Sequence, residues 1–187
     1  MCSTHSSCTA RSSTLTHQHP NNTLPHVAPP LPLLQFSFVS DGKSVRVASR
    51  KRLLTPPADA RQDCQQDFFG CFATGLVDRH RNPVRAVFTE VRRRHPRADV
   101  VWVFGELFGG GFPGLETQPG ALLVQGGIFY SPRLEFLAFD VAFAEGKEPG
   151  VRNYLSFSEL GEVCEVANVG WVPALFKGTK EECLAFQ

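Results

Sequence analysis

Alternation of apolar and polar positions is clearest from Phe36 to Arg52, FSFVSDGKSVRVASRKR. Two runs of period two flank Asp41-Gly42, a pair suited to a tight hairpin. Phe36 and Phe38 then share one face, with Val45 and Val47 meeting them from the second strand. A helical period follows in Pro83 to His95, where Val84, Val87, Phe88 and Val91 recur at three- and four-residue spacing. Asn82 suits the cap of that helix and Pro83 its first turn. The apolar run Val100 to Phe104 predicts a buried strand ending at Gly105 and Glu106, and Gly109 to Gly111 a flexible turn open to close approach by a ligand. Gln125 to Tyr130 and Leu134 to Phe143 predict two further strands separated by a Ser131-Pro132 turn. Ser156 with Glu159, and Thr179 with Glu182, have the spacing of capping boxes that open two short helices. Phe68, Phe69 and Phe72 predict a loop anchored to the core, and Trp171 to Phe176 adds apolar packing at a proline-interrupted segment. The pattern as a whole predicts an α+β fold, antiparallel or mixed strands with a few flanking helices.

The 187 residues suffice for one domain with a sizeable core. Residues 1–34 are rich in Ser, Thr, His and Pro, with Arg11 as their one arginine. Such a stretch buries too little to offset its ordering entropy, so it predicts a disordered or non-native leader before a domain at 35–187. Its lack of acids is compatible with organelle targeting, but one arginine makes a poor basic helix. Basic and acidic side chains nearly balance, 19 against 18, so no global field marks a nucleic-acid binder. Locally, Arg46, Arg50, Lys51 and Arg52 form one basic cluster and Arg92, Arg93, Arg94 and Arg97 another. Each is either a solvated surface or a phosphate-facing one. Six scattered cysteines without a CxxC pair argue against a zinc ribbon and a secreted disulfide framework. No run approaches the roughly 20 apolar residues of a membrane span. A soluble, intracellular chain without a membrane partner is the expectation.

GxGxxG and GxxxxGK[ST] are both missing, so neither Rossmann nor P-loop binding is indicated. There is no HExxH pair and no serine-hydrolase elbow. The phrases that remain, in order, are the Phe36 to Arg52 hairpin, VFGELFGG from Val103 to Gly110, and VQGGIFYSPRLEFLAFDV from Val124 to Val141. Together they resemble the ATP-dependent RNA ligases of the phage and trypanosomatid RNA-editing type, over roughly Phe36 to Phe186. The resemblance implies a partial nucleotidyltransferase (adenylation) domain with antiparallel sheets and flanking helices. It also implies ATP and Mg2+ as cofactors, and RNA bearing 5′-phosphate and 3′-hydroxyl ends as partner. In the family a lysine takes AMP from ATP, AMP passes to the RNA 5′-phosphate, and the 3′-hydroxyl displaces it. Carried over by motif, Arg50 contacts nucleotide or RNA 5′-phosphate, Glu106 binds the ribose hydroxyls, and Phe136 stacks on adenine, with Asp140 supporting the site. The competing roles are a solvated arginine at Arg50, with Arg52 as its rival, a salt-bridged strand-end acid at Glu106, and plain core at Phe136.

The departures from the family pattern bear on activity. Where a KxHGxN-like phrase should carry the nucleophile, the chain reads Pro30-Leu31-Pro32-Leu33-Leu34-Gln35. Pro30 stands at the lysine position and has no nucleophilic group. The EGxVxR-like motif and the lysine-bearing motif after it, which serve the metal and phosphates, have no counterpart up to Gln187. The expectation is an RNA ligase relative that does not adenylate itself and has no catalytic residue of its own. The alternative is a non-catalytic nucleotide- or RNA-binding module.

Overall fold

The structure is a computed structural model and describes residues 35–56, 67–146 and 151–186. The leader expected at 1–34 and most of the proline-bearing link after Thr55 lie outside the described residues. In chain order the elements are β1 (Gln35–Ser40), β2 (Val45–Ser49), β3 (Leu53–Leu54), α1 (Leu76–Arg94), β4 (Ala98–Gly111), β5 (Ser131–Glu145), β6 (Asn153–Tyr154), α2 (Phe157–Ala167) and α3 (Lys180–Ala185). The strands form one antiparallel sheet in the order β3-β2-β1-β4-β5-β6. The chain is thus mixed α and β, as its patterning predicts.

The hairpin forms as its sequence dictates. Gly42 takes a positive φ of 82°, and the Asp41 carboxylate accepts the backbone N–H groups of Lys43 and Ser44 at 2.9 and 2.7 Å. Register then pairs Phe38 with Val47 and, on its other side, with Val103, which pairs with Val141. Because side chains alternate across a strand, this row and its neighbours put Phe36, Phe38, Val101, Val103, Leu107, Leu134 and Phe136 on one face. All of them are buried. Helix α1 covers that face with Leu76, Val84, Val87 and Val91, each fully buried.

Helix α1 begins seven residues before the expected start. Its cap is Gly75, in the left-handed conformation at φ 69°, and Pro83 sits inside the helix. Leu76, Val77 and His80 continue the apolar stripe backwards through the proline, and their burial outweighs the backbone bond that Pro83 cannot donate. Ahead of the helix, buried Asp67 accepts the N–H groups of Phe72 and Ala73 at 3.0 and 2.8 Å. That turn holds the anticipated aromatic trio Phe68, Phe69 and Phe72 against the core.

Two other local expectations are corrected. Gln125 to Tyr130 is a loop rather than a strand, and Ser131-Pro132 opens β5 instead of making a turn. Gly109 and Gly110 are the end of β4, with φ of 83° and 81°. A Cβ there would collide with the carbonyl oxygens of Arg133 and Leu122, so these glycines admit neighbouring backbone, not a ligand.

Both capping boxes form, with Ser156 and Thr179 accepting from Glu159 and Glu182. Helix α2 docks on α1 through Arg94, which donates to Glu162 at 2.7 Å and also to Glu90. Glu90 receives Arg93 as well, and these bonds, Arg93's foremost, hold its carboxyl down at about 2. A carboxyl depressed on folding contributes stability that is complete above its ordinary value near 4.5 and is lost as pH falls toward 2. Thermal melts of the native chain and Glu90→Gln at pH 7, 4 and 2.5 should therefore converge: the native protein melts higher at pH 7, and the gap closes with acidification.

Candidate functional site

Opposite the helices, the second face of the sheet has Ser37, Val39, Phe104 and Ala142 buried among longer side chains, and register orders it into three rows. The first runs Gln35, Glu106, Leu137; the second Ala48, Ser37, Phe104, Asp140; the third Arg46, Val39, Trp102, Ala142, Tyr154. A groove of about 970 Å³ crosses these rows, lined in part by Gln35, Arg46, Arg50, Trp102, Phe104 and Arg152. Arg50 therefore lies on the groove. Its rival Arg52 does not line it and instead closes a turn with Ser49 through backbone N–H and C=O.

Glu106 stands in the first row, half-buried. Its carboxylate accepts one long hydrogen bond, from Gln125 Nε2 at 3.4 Å, and has no basic partner among the described residues. Loss of water pushes its pKa up from the ordinary value. Asp140, in the second row, is raised for the same reason, although the N–H of Val141 at 2.9 Å works against this. The Gln125 Oε1 beside Glu106 is buried with no donor. Rotating the amide would set that oxygen against the carboxylate, so the orientation is fixed by Glu106. Glu106 thus has only one weak donor, which suits a ligand carrying hydroxyl or amino hydrogens.

Phe136 is not on this face. Glu106 pairs with Leu137, so Phe136, one residue away, points to the helix side. Its ring lies 5.1 Å from Phe38, 6.0 Å from Phe36 and 5.6 Å from His80, edge-on to each, and only 4 % of it is exposed. It also fills the space left by Gly105, where a Cβ would strike the Phe136 ring. Glu106 and Phe136 therefore do not form two walls of one cleft, and Phe136 is core.

The aromatic that faces outward from the same phrase is Phe139. The ladder pairs Phe104 with Asp140 but Gly105 with Ala138, leaving Phe139 as the extra residue of a bulge. It is 42 % exposed between the Glu106 and Asp140 rows. The bulge in LEFLAFDV has no signature in residue type, so simple alternation does not find it. No protein-family model and no curated protein matches the chain. No described helix is long and apolar enough to cross a membrane.

The two phenylalanines should separate in experiment. Phe136→Ala leaves a cavity among packed rings and should cost about 3–5 kcal/mol of stability. Phe139→Ala should change stability by less than about 1 kcal/mol. Urea denaturation of the two variants checks this, and similar losses would show that Phe139 is core as well.

Proposed function

We propose that the chain carries part of an RNA ligase-type nucleotidyltransferase fold and binds ATP and 5′-phosphorylated RNA on the open face of its sheet, without forming a covalent adenylate on itself. The observation that carries this is Glu106, a desolvated carboxylate without a cationic partner, standing beside the donor-less Gln125 oxygen on the face that also holds Arg50 and Phe139. An adenosine fits this chemistry. Ribose hydroxyls supply hydrogens to Glu106, Phe139 offers a ring to the base, and the Arg50 guanidinium supplies charge for phosphate. Among the described residues no three His, Cys, Asp or Glu side chains converge on a metal site. Glu106 and Asp140 are carboxylates on this face that would be available to Mg2+ brought in with a nucleotide. Bound Mg2+ supplies neutralisation of phosphate charge.

What the chain's own residues do is bind and orient. Covalent transfer needs an amine at the position filled by Pro30, and proline offers none. Incubation with [α-³²P]ATP should leave the polypeptide unlabelled, while equilibrium binding of ATP persists. A labelled protein-AMP adduct would overturn the non-covalent part of this proposal. Wild-type ATP affinity in both Glu106→Gln and Phe139→Ala would overturn the site.

Glu106 also gives a stability signature. A carboxyl whose pKa rises on folding imposes a cost on the folded state that is absent below about 4.5 and complete above the raised value. Glu106→Gln should thus raise the melting temperature at pH 7 and have little effect at pH 4, while weakening ATP binding at least about tenfold, the equivalent of one lost charged hydrogen bond. A lower melting temperature at pH 7 would mean that Glu106 is satisfied by a partner in the folded chain.

A further inference from the structure

The third row of the open face carries chemistry that the adenosine site does not use. Trp102 and Tyr154 lie on either side of Ala142, and Arg46 closes the row at its β2 end. Arg152 lies with its guanidinium 4.8 Å from the Trp102 ring centre and 5.6 Å from that of Phe104, and Tyr154 stacks beside Phe104 at 6.3 Å. The groove along these residues is lined by Arg46, Arg50 and Arg152 and, among the described residues, by no acid. None of the three arginines has an acidic partner among the described residues. Trp102 is four residues before Glu106 on β4, roughly 13 Å away along the strand, so one base cannot fill both places.

We propose that Arg46, Trp102, Arg152 and Tyr154 form a subsite for a single-stranded RNA segment, separate from the Glu106 site on the same face of the sheet. This rests on the nucleotide-face reading above and extends it by a strand path. A flat guanidinium held over an indole presents its outer plane to a nucleobase, and the exposed Tyr154 ring offers a second stacking surface. Arg46, at the β2 end of the row, supplies charge for the phosphates between stacked bases. The combination of unpaired arginines, adjacent aromatic rings and no acid favours a polyanion with planar groups over an apolar partner.

The test uses the full chain and a fluorescent oligouridylate with a 5′-hydroxyl end, so that neither ATP nor a 5′-phosphate is needed. Fluorescence anisotropy should show salt-dependent binding. Trp102→Leu and Arg152→Gln should each weaken it about fivefold or more. Arg46→Gln should reduce the slope of log affinity against log salt by roughly 0.7, the value for one phosphate contact on a single strand. Arg152→Lys separates charge from stacking: it should keep the wild-type salt slope while losing affinity. All four variants should retain ATP binding and circular dichroism, and Glu106→Gln should retain oligonucleotide binding.

Absent oligonucleotide binding, or binding indifferent to Trp102 and Arg152, overturns the subsite even where ATP still binds. Loss of ATP and oligonucleotide together in a folded Arg152→Gln variant overturns the separation of the two sites. Equal capture of poly-glutamate, dependent on the arginines but not on Trp102, assigns the row to an acidic protein partner instead. Failure of ATP binding with the oligonucleotide result intact strikes the adenosine site alone.

Discussion

The register between β4 and β5 decides what this molecule can do. Opposing Glu106 with Leu137 and Leu107 with Phe136 sends one acid and one ring to different sides of the sheet. A slip of a single residue would turn one of the two strands over, putting either Glu106 under α1 or the Phe136 ring on the open face. Burial prevents that slip. Phe36, Phe38, Leu107, Leu134 and Phe136 all belong to the helix-covered face, and each is worth roughly 1.5–3 kcal/mol when removed from water. An ionised carboxylate driven into the same layer would face a desolvation cost larger than any one of those gains. The apolar face thus fixes where the polar one lies.

The bulge at Phe139 modifies this rule at one place, and its surroundings explain how it is tolerated. On the edge away from β4, Ala138 donates to the carbonyl of Gly170 and accepts from the N–H of Val172, both at 2.8 Å. Those contacts stand where the two-residue β6 no longer reaches, so the backbone beside the bulge keeps its partners. Trp171, carried between them, packs on Gly161 of α2, where a Cβ would sit 3.0 Å from the indole. The strap from Val169 to Val172 therefore ties the second helix to the strand that displays Phe139. Exposure of that ring is a consequence of how α2 is attached, not a local accident of β5.

Elements whose pattern lies within a few residues were legible in the chain. The hairpin, both capping boxes and the core side of α1 follow from spacing alone, because each is set by neighbours one, three or four positions apart. The start of α1 was not, since Pro83 and Asn82 mimic a helix entry that tertiary burial of Leu76 and Val77 overrides. Gly109 and Gly110 looked like a ligand turn because their positive φ is a backbone need common to loops and crowded strand ends. At the site, Glu106 falls on the outer side by alternation within β4, and Arg50, one residue past the end of β2, lines the groove on the same side. Phe136 went astray because the resemblance pointed to a phrase with two phenylalanines, and which of them faces outward depends on the bulge. Trp102 and Arg152 are 50 residues apart in number, and only the sheet brings them together.

One face of this sheet is dry and well packed while the other leaves polar groups poorly served. Glu106 and Asp140 are both held above their ordinary pKa by loss of water, Gln125 keeps an oxygen without a donor, and three arginines line the groove with no acid among the described residues. Folding alone has no use for any of these: an apolar or neutral residue at Glu106 would relieve the desolvation, and an acid near Arg46 or Arg152 would offset the local repulsion. Costs of this kind gather where a surface is shaped for something it will bind. Their signs are also ordered. Acceptors lie at the Glu106 end and cations at the Arg46 and Arg152 end, with aromatic rings in between, so a ligand that satisfies the whole face presents hydroxyls at one end and anionic groups at the other. A nucleotide continued by a strand of RNA has that polarity, whereas a simple anion or a neutral sugar would satisfy only half of it.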